Sequence, residues 1–178
     1  MRQGVLYYNR GSRCLLRLLV SLQSLRKFYA GPVAIASEDE TPKWFQDISG
    51  AMKAPINRIS KSEDHVLLAK AGMWKFTPFD LTLFLDADTV VLGPIDEAFS
   101  AIDRKGCVVT RFADWHTHRG RMRARVEQWS NVDAAAVQRS KEYQWAINTG
   151  VIGWARGSAV MPAYEAMTRR GLGIGGIT

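Results

Sequence analysis

Leu15, Leu18, Leu19, Leu22 and Leu25 recur at helical spacing, with Arg17, Ser21, Gln23 and Ser24 between them. That pattern predicts an amphipathic helix over 13–29. The turn at Asn9-Arg10-Gly11 precedes it, Ser12 is its expected N-cap, and Gly31-Pro32 ends it. Short apolar runs without a helical polar face lie on either side, and Val5–Tyr8 and Val33–Ala36 read as strands. Thr41-Pro42 opens a second helix through about Ser49. A third strand is expected over Pro55–Ile59, a helix over Ser62–Trp74, and a fully apolar strand over residues 81–85. Gly93-Pro94 then turns the chain into a short helix at Ile95–Phe99, followed by a strand at Cys107–Thr110. Residues 114–145 are polar, basic and aromatic, and read as a long excursion with a helix near 132–142. Ala146–Trp154 is apolar apart from Asn148-Thr149-Gly150, Ser158–Arg170 reads as a helix, and the glycine-rich tail 171–178 suggests no element of its own.

Alternating strands and helices predict an α/β fold with a mostly parallel sheet flanked by helices. The 178 residues suit one core, so residues 1–178 are read as a single domain. Composition adds little: 47% apolar and 23% charged is that of an ordinary folded domain. No cleavable leader is apparent at Met1-Arg2-Gln3-Gly4, and Cys14–Leu25 carries too many polar residues to span a bilayer. Cys14 and Cys107 form no disulfide framework, so a reducing cytoplasm is the expected compartment. The net charge of +7 changes the picture more, because it favours anionic partners. No nucleic-acid-binding motif accompanies it, which leaves nucleotide phosphates or peripheral contact with a membrane. The densest basic stretch, Arg119 to Arg125, fits a solvated surface or a phosphate or acceptor contact.

Candidate chemistry sits at Phe84-Leu85-Asp86-Ala87-Asp88-Thr89. Two carboxylates at the C-terminal end of a buried strand are costly unless paired, and in open α/β sheets ligands bind at that end. Two hard oxygen donors, Asp86 and Asp88, suit a divalent cation on a phosphate-bearing substrate, with Mn²⁺ or Mg²⁺ favoured. Other readings exist. Asp86, Asp88 and Val90 also satisfy the aspartate motif of haloacid-dehalogenase-like phosphatases, which requires a lysine and an acidic pair further downstream. His116 and His118 would share a face of a strand but have no third ligand in view. Trp115, Trp129, Trp145 and Trp154 suit sugar stacking or packing, with Trp115 and Trp129 the better acceptor candidates.

In a wider frame the chain resembles the glycogenin-like family of retaining glycosyltransferases, which includes lipopolysaccharide galactosyl- and glucosyltransferases. The resemblance rests on Phe84 to Leu92 with Ile95 to Phe99, on Lys70 ahead of Asp86 with Trp74, Phe76 and Phe79 between them, and on Ile147-Asn148-Thr149-Gly150-Val151. It covers most of residues 4–157. It implies the Rossmann-like nucleotide-diphospho-sugar transferase (GT-A) fold, here short at the C-terminus. The family's second acidic motif would begin about where this chain stops, at Thr178, and its metal-binding histidine would follow.

By that resemblance, Asp88 ligates the metal directly, and Asp86 contacts both metal and ribose. Lys70 lies against the donor's phosphate or sugar. Asn148 holds a sugar hydroxyl or orients the donor, Gly150 allows close approach of the backbone, and Thr149 between them is a further donor-binding position. Tyr8 and Asn9 stand where the family binds the base, and Ala87 lies between the two aspartates. The implied activity is metal-dependent transfer of a sugar from a nucleotide-diphosphate donor, with a UDP-sugar expected, to a glycan, lipid-linked or protein acceptor with retention. Lys70 and Asn148 are the expected catalytic residues. A non-catalytic domain that binds nucleotide-sugars or glycans is the alternative.

Overall fold

In the computed structural model, which describes residues 1–114 and 145–173, β1 (Gln3–Asn9) lies inside the sheet. It is flanked in parallel by β2 (Val33–Ser37) and by β4 (Leu81–Leu85). β3 (Ile56–Arg58) pairs in parallel with β2 and forms one edge. β5 (Cys107–Asp114) forms the other edge, and β6 (Trp145–Ala155) runs antiparallel between β4 and β5. The order is β3-β2-β1-β4-β6-β5, a mixed sheet that is parallel through its first four strands. All five residues of β2 and of β4 are buried, as expected of strands covered on both faces.

The period-2 alternation of the strands divides the core. Val5 and Tyr7 of β1, with Leu81, Leu83 and Leu85 of β4, pack under α1 (Leu15–Arg26) and α4 (Asp96–Lys105). Leu6 and Phe84 belong to a second cluster with Met73, Ile152, Trp154 and Met161. That cluster includes Met73, just after α3 (Val66–Ala71), and Met161 of α5 (Val160–Gly173). The remaining helix, α2 (Lys43–Ala51), buries Phe45 in the first cluster.

Several predicted helices have different bounds. The first helix starts at Leu15, after a 3₁₀ turn at Ser12–Cys14, and Ser12 makes no capping bond. It ends at Arg26, whose guanidinium donates to the carbonyls of Tyr29, Gly31, Met52 and Lys53 and so ties the exit to the chain after α2. The helix expected over Ser62–Trp74 is only α3, because His65 Nδ1 accepts from Leu67 N and fixes a later start. Gly72 then breaks it into a 3₁₀ turn at Met73–Phe76. The short helix at Ile95–Phe99 instead runs on to Lys105. Ile102 continues the buried face begun by Phe99, Asp96 and Glu97 start it, and Arg104 and Lys105 end it, in keeping with the helix dipole. Gly106, at φ 74°, closes it in the left-handed region. α5 extends to Gly173, three residues into the glycine-rich tail.

β6 is held close to α4. A Cβ at Gly153 would lie 2.4 Å from Ile102 Cδ1 and 2.7 Å from Val108 Cγ2. Gly153→Ala is expected to cost about 1–3 kcal/mol by overpacking, read as a lower unfolding midpoint in urea.

Candidate active site

β4 ends at the sheet's C-terminal edge, where Asp86 leaves the strand. Its N–H donates to Gly150 O at 2.8 Å, and its own carbonyl accepts from Thr89 N at 3.0 Å, which makes a turn. Val91 N donates to Ser24 Oγ at 2.9 Å and fastens the segment after the turn onto α1. The acidic motif is therefore gripped on both sides, by β6 and by α1.

Lys70 arrives from the other face of the sheet, on the last turn of α3. Its ammonium donates to Asp86 Oδ2 at 2.7 Å and lies 5.5 Å from the centre of the Phe84 ring. The two side chains are 19% and 32% exposed, so the pair is screened only in part. It answers the cost of placing a carboxylate at the end of an apolar strand.

β6 supplies the third side. Val109 pairs with Ile152 but the next residue, Thr110, pairs with Asn148, so Thr149–Val151 bulge out of the ladder. Thr110 Oγ1 reaches both Asn148 O and Val151 O at 3.2 Å and spans the bulge. Within it, Asn148 Oδ1 accepts from Gly150 N at 2.8 Å. A Cβ on Gly150 would lie 2.9 Å from both Asn148 Oδ1 and Asp86 Oδ2. Lys70, Asp86, Asn148 and Gly150 thus come together around one point, with Thr149 partly buried beside them.

Asp88 is exposed. It lines a groove of about 270 Å³ between the turn and α1, with Leu16, Arg17, Val20, Ser21, Thr89 and Val90. Ala87, between the aspartates, packs partly buried against the core. Asp86 gives one oxygen to Lys70, and Asp88 has no ion-pair partner among the described residues. An all-oxygen pair of this kind fits a hard divalent cation. Among the described residues no group of three or more His, Cys, Asp or Glu side chains could hold a metal, so these two are the ligands that the described residues offer there.

The ends of β1 and β2 form a second corner. Asn9 is buried, with Nδ2 donating to Ser37 Oγ at 3.0 Å, while its Oδ1 has no hydrogen-bond partner among the described residues. Tyr8 OH donates to Glu38 Oε1 at 2.5 Å, and Arg10 Nε lies 3.3 Å from Glu38 Oε2. Burial, reinforced by the Glu38 carboxylate, pushes the Tyr8 phenol well above its usual range. Arg10 also donates to the carbonyls of Ser62 and Asp64, which ties this corner to the loop before α3. No hydrogen bond among the described residues joins Tyr8 or Asn9 to Asp86. Glu38 was not singled out from the sequence, although it shares a signal with Asp86: a carboxylate directly after a buried strand, here heading the acidic run Glu38-Asp39-Glu40.

Glu165 on α5 was also missed. It accepts from Trp74 Nε1 at 3.0 Å and from Lys75 Nζ at 2.6 Å, and so braces the segment that follows Lys70. Burial disfavours its charge, but these two bonds and the positive charges of Lys75 and Arg169 together outweigh that and hold its carboxyl below its usual range. Trp154 is a core residue, not a stacking platform. His116, His118, Trp115, Trp129, the Arg119–Arg125 stretch and the helix expected near 132–142 lie outside the described residues, as do residues 174–178. The lysine at Asp86 precedes it in sequence, whereas the phosphatase motif needs one downstream.

The sequence matches no family profile and no curated protein. Solved structures nevertheless share its fold. The glycosyltransferase GlyE of Streptococcus pneumoniae TIGR4 aligns over 96% of this chain and 37% of its own, with a TM-score of 0.56 and 16% identity. The galactosyltransferase LgtC, in complex with donor and acceptor sugar analogs, aligns over 85% of this chain and 57% of its own, with a TM-score of 0.60 and 9% identity. Core-mannan synthase A of Aspergillus fumigatus, in its Mn/GDP form, aligns over 96% of this chain and 65% of its own, with a TM-score of 0.56 and 11% identity. The architecture is that of the GT-A glycosyltransferases, and the chain spans between about a third and two thirds of the length of these three. No helix among the described residues is long and apolar enough to cross a membrane.

Proposed function

We propose that the chain carries the donor site of a metal-dependent glycosyltransferase that takes a sugar from a nucleotide diphosphate, with UDP the expected nucleotide, and transfers it with retention. The observation that carries the reading is the meeting of Lys70, Asp86 and the Asn148–Gly150 bulge at the C-terminal edge of β4, in a fold shared with glycosyltransferases. Expulsion of a nucleoside diphosphate builds negative charge on the leaving oxygens, and a fixed cation beside them lowers that barrier. Lys70 is such a cation, and the Phe84 ring and Asp86 hold its stem and its head in place. Asp86 and Asp88 would hold Mn²⁺ or Mg²⁺, which when bound supplies Lewis-acid neutralisation of the diphosphate. Asn148 spends its oxygen on Gly150 N, which leaves its amide N–H₂ to donate to a sugar hydroxyl. None of these side chains is an activated nucleophile. The residues therefore fit a front-face reaction, in which positioning and charge stabilisation carry the rate and the departing phosphate takes the acceptor's proton.

The test is a calorimetric titration of UDP in Mn²⁺ and again in EDTA, on the wild type and on Asp88→Ala. Binding that needs both the metal and Asp88 is the expected result, with affinity falling at least about tenfold in the variant. Equal binding in EDTA, or by the variant, would overturn the metal role. Metal-dependent binding without any hydrolysis or transfer across a panel of UDP-sugars would mark a binding domain instead.

A further inference from the structure

We infer that the outer face of α1, together with the segment after the acidic turn, is a docking surface for an anionic membrane. The inner face of α1 is fully committed: Leu15, Leu18, Leu22 and Leu25 are buried in the core. Its outer face is not the polar surface such a helix normally shows, since Leu16 is 68% and Val20 57% exposed. The chain after the turn adds to this face. Val91 is buried in the core, so its neighbours point the other way, and Val90 is 55% and Leu92 85% exposed. The Val91–Ser24 hydrogen bond fixes this segment on α1, and Leu16, Val20 and Val90 line the same groove. Three exposed aliphatic side chains lining one groove, with the exposed Leu92 two residues after Val90, exceed the scattered apolar exposure of an ordinary surface.

Charge chooses the occupant. Arg17 on α1 and Arg13 in the 3₁₀ turn just before it are both exposed, Arg17 lines the groove, and neither has an ion-pair partner among the described residues. Aliphatic side chains interleaved with unpaired arginines match a bilayer interface, where the apolar groups enter the headgroup region and the guanidinium groups meet lipid phosphates. The net charge of +7 adds a long-range attraction to an anionic leaflet. Asp88 lines the same groove. On the glycosyltransferase reading, on which this further step rests, the donor site would then open at the lipid–water boundary and suit a lipid-linked acceptor.

The experiment is co-sedimentation of the full chain with vesicles of phosphatidylcholine, with and without about a third phosphatidylglycerol. Binding to the anionic vesicles alone, weakened by salt, is expected. Leu16→Asp with Val20→Asp should lower the partition coefficient at least about tenfold, and Arg13→Ser and Arg17→Ser about fivefold each. These positions are exposed, and unchanged unfolding midpoints would show that the variants are folded. Met167→Asp, an exposed position on α5 across the sheet, should bind as the wild type does. The inference is overturned by absent binding, by equal binding to neutral vesicles, or by equal loss in Met167→Asp. A concentration-dependent dimer abolished by Leu16→Asp with Val20→Asp would assign the face to a second copy and would also overturn it. UDP titration separates the two proposals: vesicle binding without UDP binding removes only the donor-site reading, and the reverse removes only the membrane surface.

Discussion

Replacing Lys70 with alanine is expected to cut sugar transfer and donor hydrolysis by about 10²–10³-fold while leaving the protein folded, measured as nucleotide release at saturating donor. The magnitude follows from the position of the charge. A lysine free in solvent would lose most of its effect to screening, but Lys70 is four-fifths buried, and the Phe84 ring and Asp86 hold its ammonium. A fixed cation in a half-desolvated crevice is worth roughly the 3–4 kcal/mol of one preorganised donor in a transition state. The cost to the fold is smaller. Asp86 would lose its partner but is a third exposed, so water can take over, and a stability loss of about 1–2 kcal/mol is expected. Lys70→Arg should restore only part of the activity, because a planar fork does not reproduce a compact ammonium in that space. Lys75→Ala is the control: it lies on the same segment but pairs with Glu165, so turnover should change little. If Lys70→Ala kept full turnover, the charge would have no part in the reaction.

Gly150→Ala is expected to lower turnover by about 10²-fold, through geometry instead of charge. Nothing in the backbone conformation at Gly150 demands glycine; the space does. The added methyl would lie 2.9 Å from Asp86 Oδ2 and from Asn148 Oδ1, two oxygens already placed by other bonds. Asp86 Oδ2 is held by Lys70, and Asn148 Oδ1 by the N–H of Gly150 itself. The backbone cannot withdraw without stretching the 2.8 Å bond from Asp86 N to Gly150 O. One of the three must give way, and each is part of the site. A stability cost of about 1–3 kcal/mol should accompany the lost turnover. Asn148→Ala in the same background tells the causes apart. Removing one of the two clashing oxygens should recover part of the lost stability while activity stays low. Full activity in Gly150→Ala would mean that the bulge lies away from the reacting groups.

Much of this was readable in the sequence because charge in an apolar run is conspicuous. Asp86 stands out after Leu81–Leu85, and the strand is where it was expected. The spacing to Lys70 and the Asn148-Thr149-Gly150 interruption pointed to residues that do meet Asp86. Local patterns failed where tertiary contacts set the boundaries. His65 and Gly72 shorten the helix that carries Lys70, although the apolar spacing alone would continue it in both directions. The opposite holds for α4, where Ile102 and the left-handed Gly106 were available signals that extend the helix beyond Phe99. Glu38 offered the same signal as Asp86 and was overlooked, whereas Glu165 was unreadable for another reason. It acts through Trp74 and Lys75, far away in sequence, and a helical carboxylate whose partner is unknown looks like any surface charge.

The antiparallel insertion of β6 also sets the order in which the site assembles. Lys70 and Asp86 are sixteen residues apart and can meet as soon as α3 and β4 have been synthesised. Asn148 and Gly150 come much later in the chain, and their pairing with β4 closes a long loop at high entropic cost. When β6 slides in, one hydrogen bond from Asp86 N to Gly150 O fixes its register at the point where the chemistry is proposed to occur. A slip of one residue would turn every side chain of β6 to the opposite face. Completion of folding and completion of the site are then the same event, and a molecule with β6 misaligned would be inactive before it was unfolded.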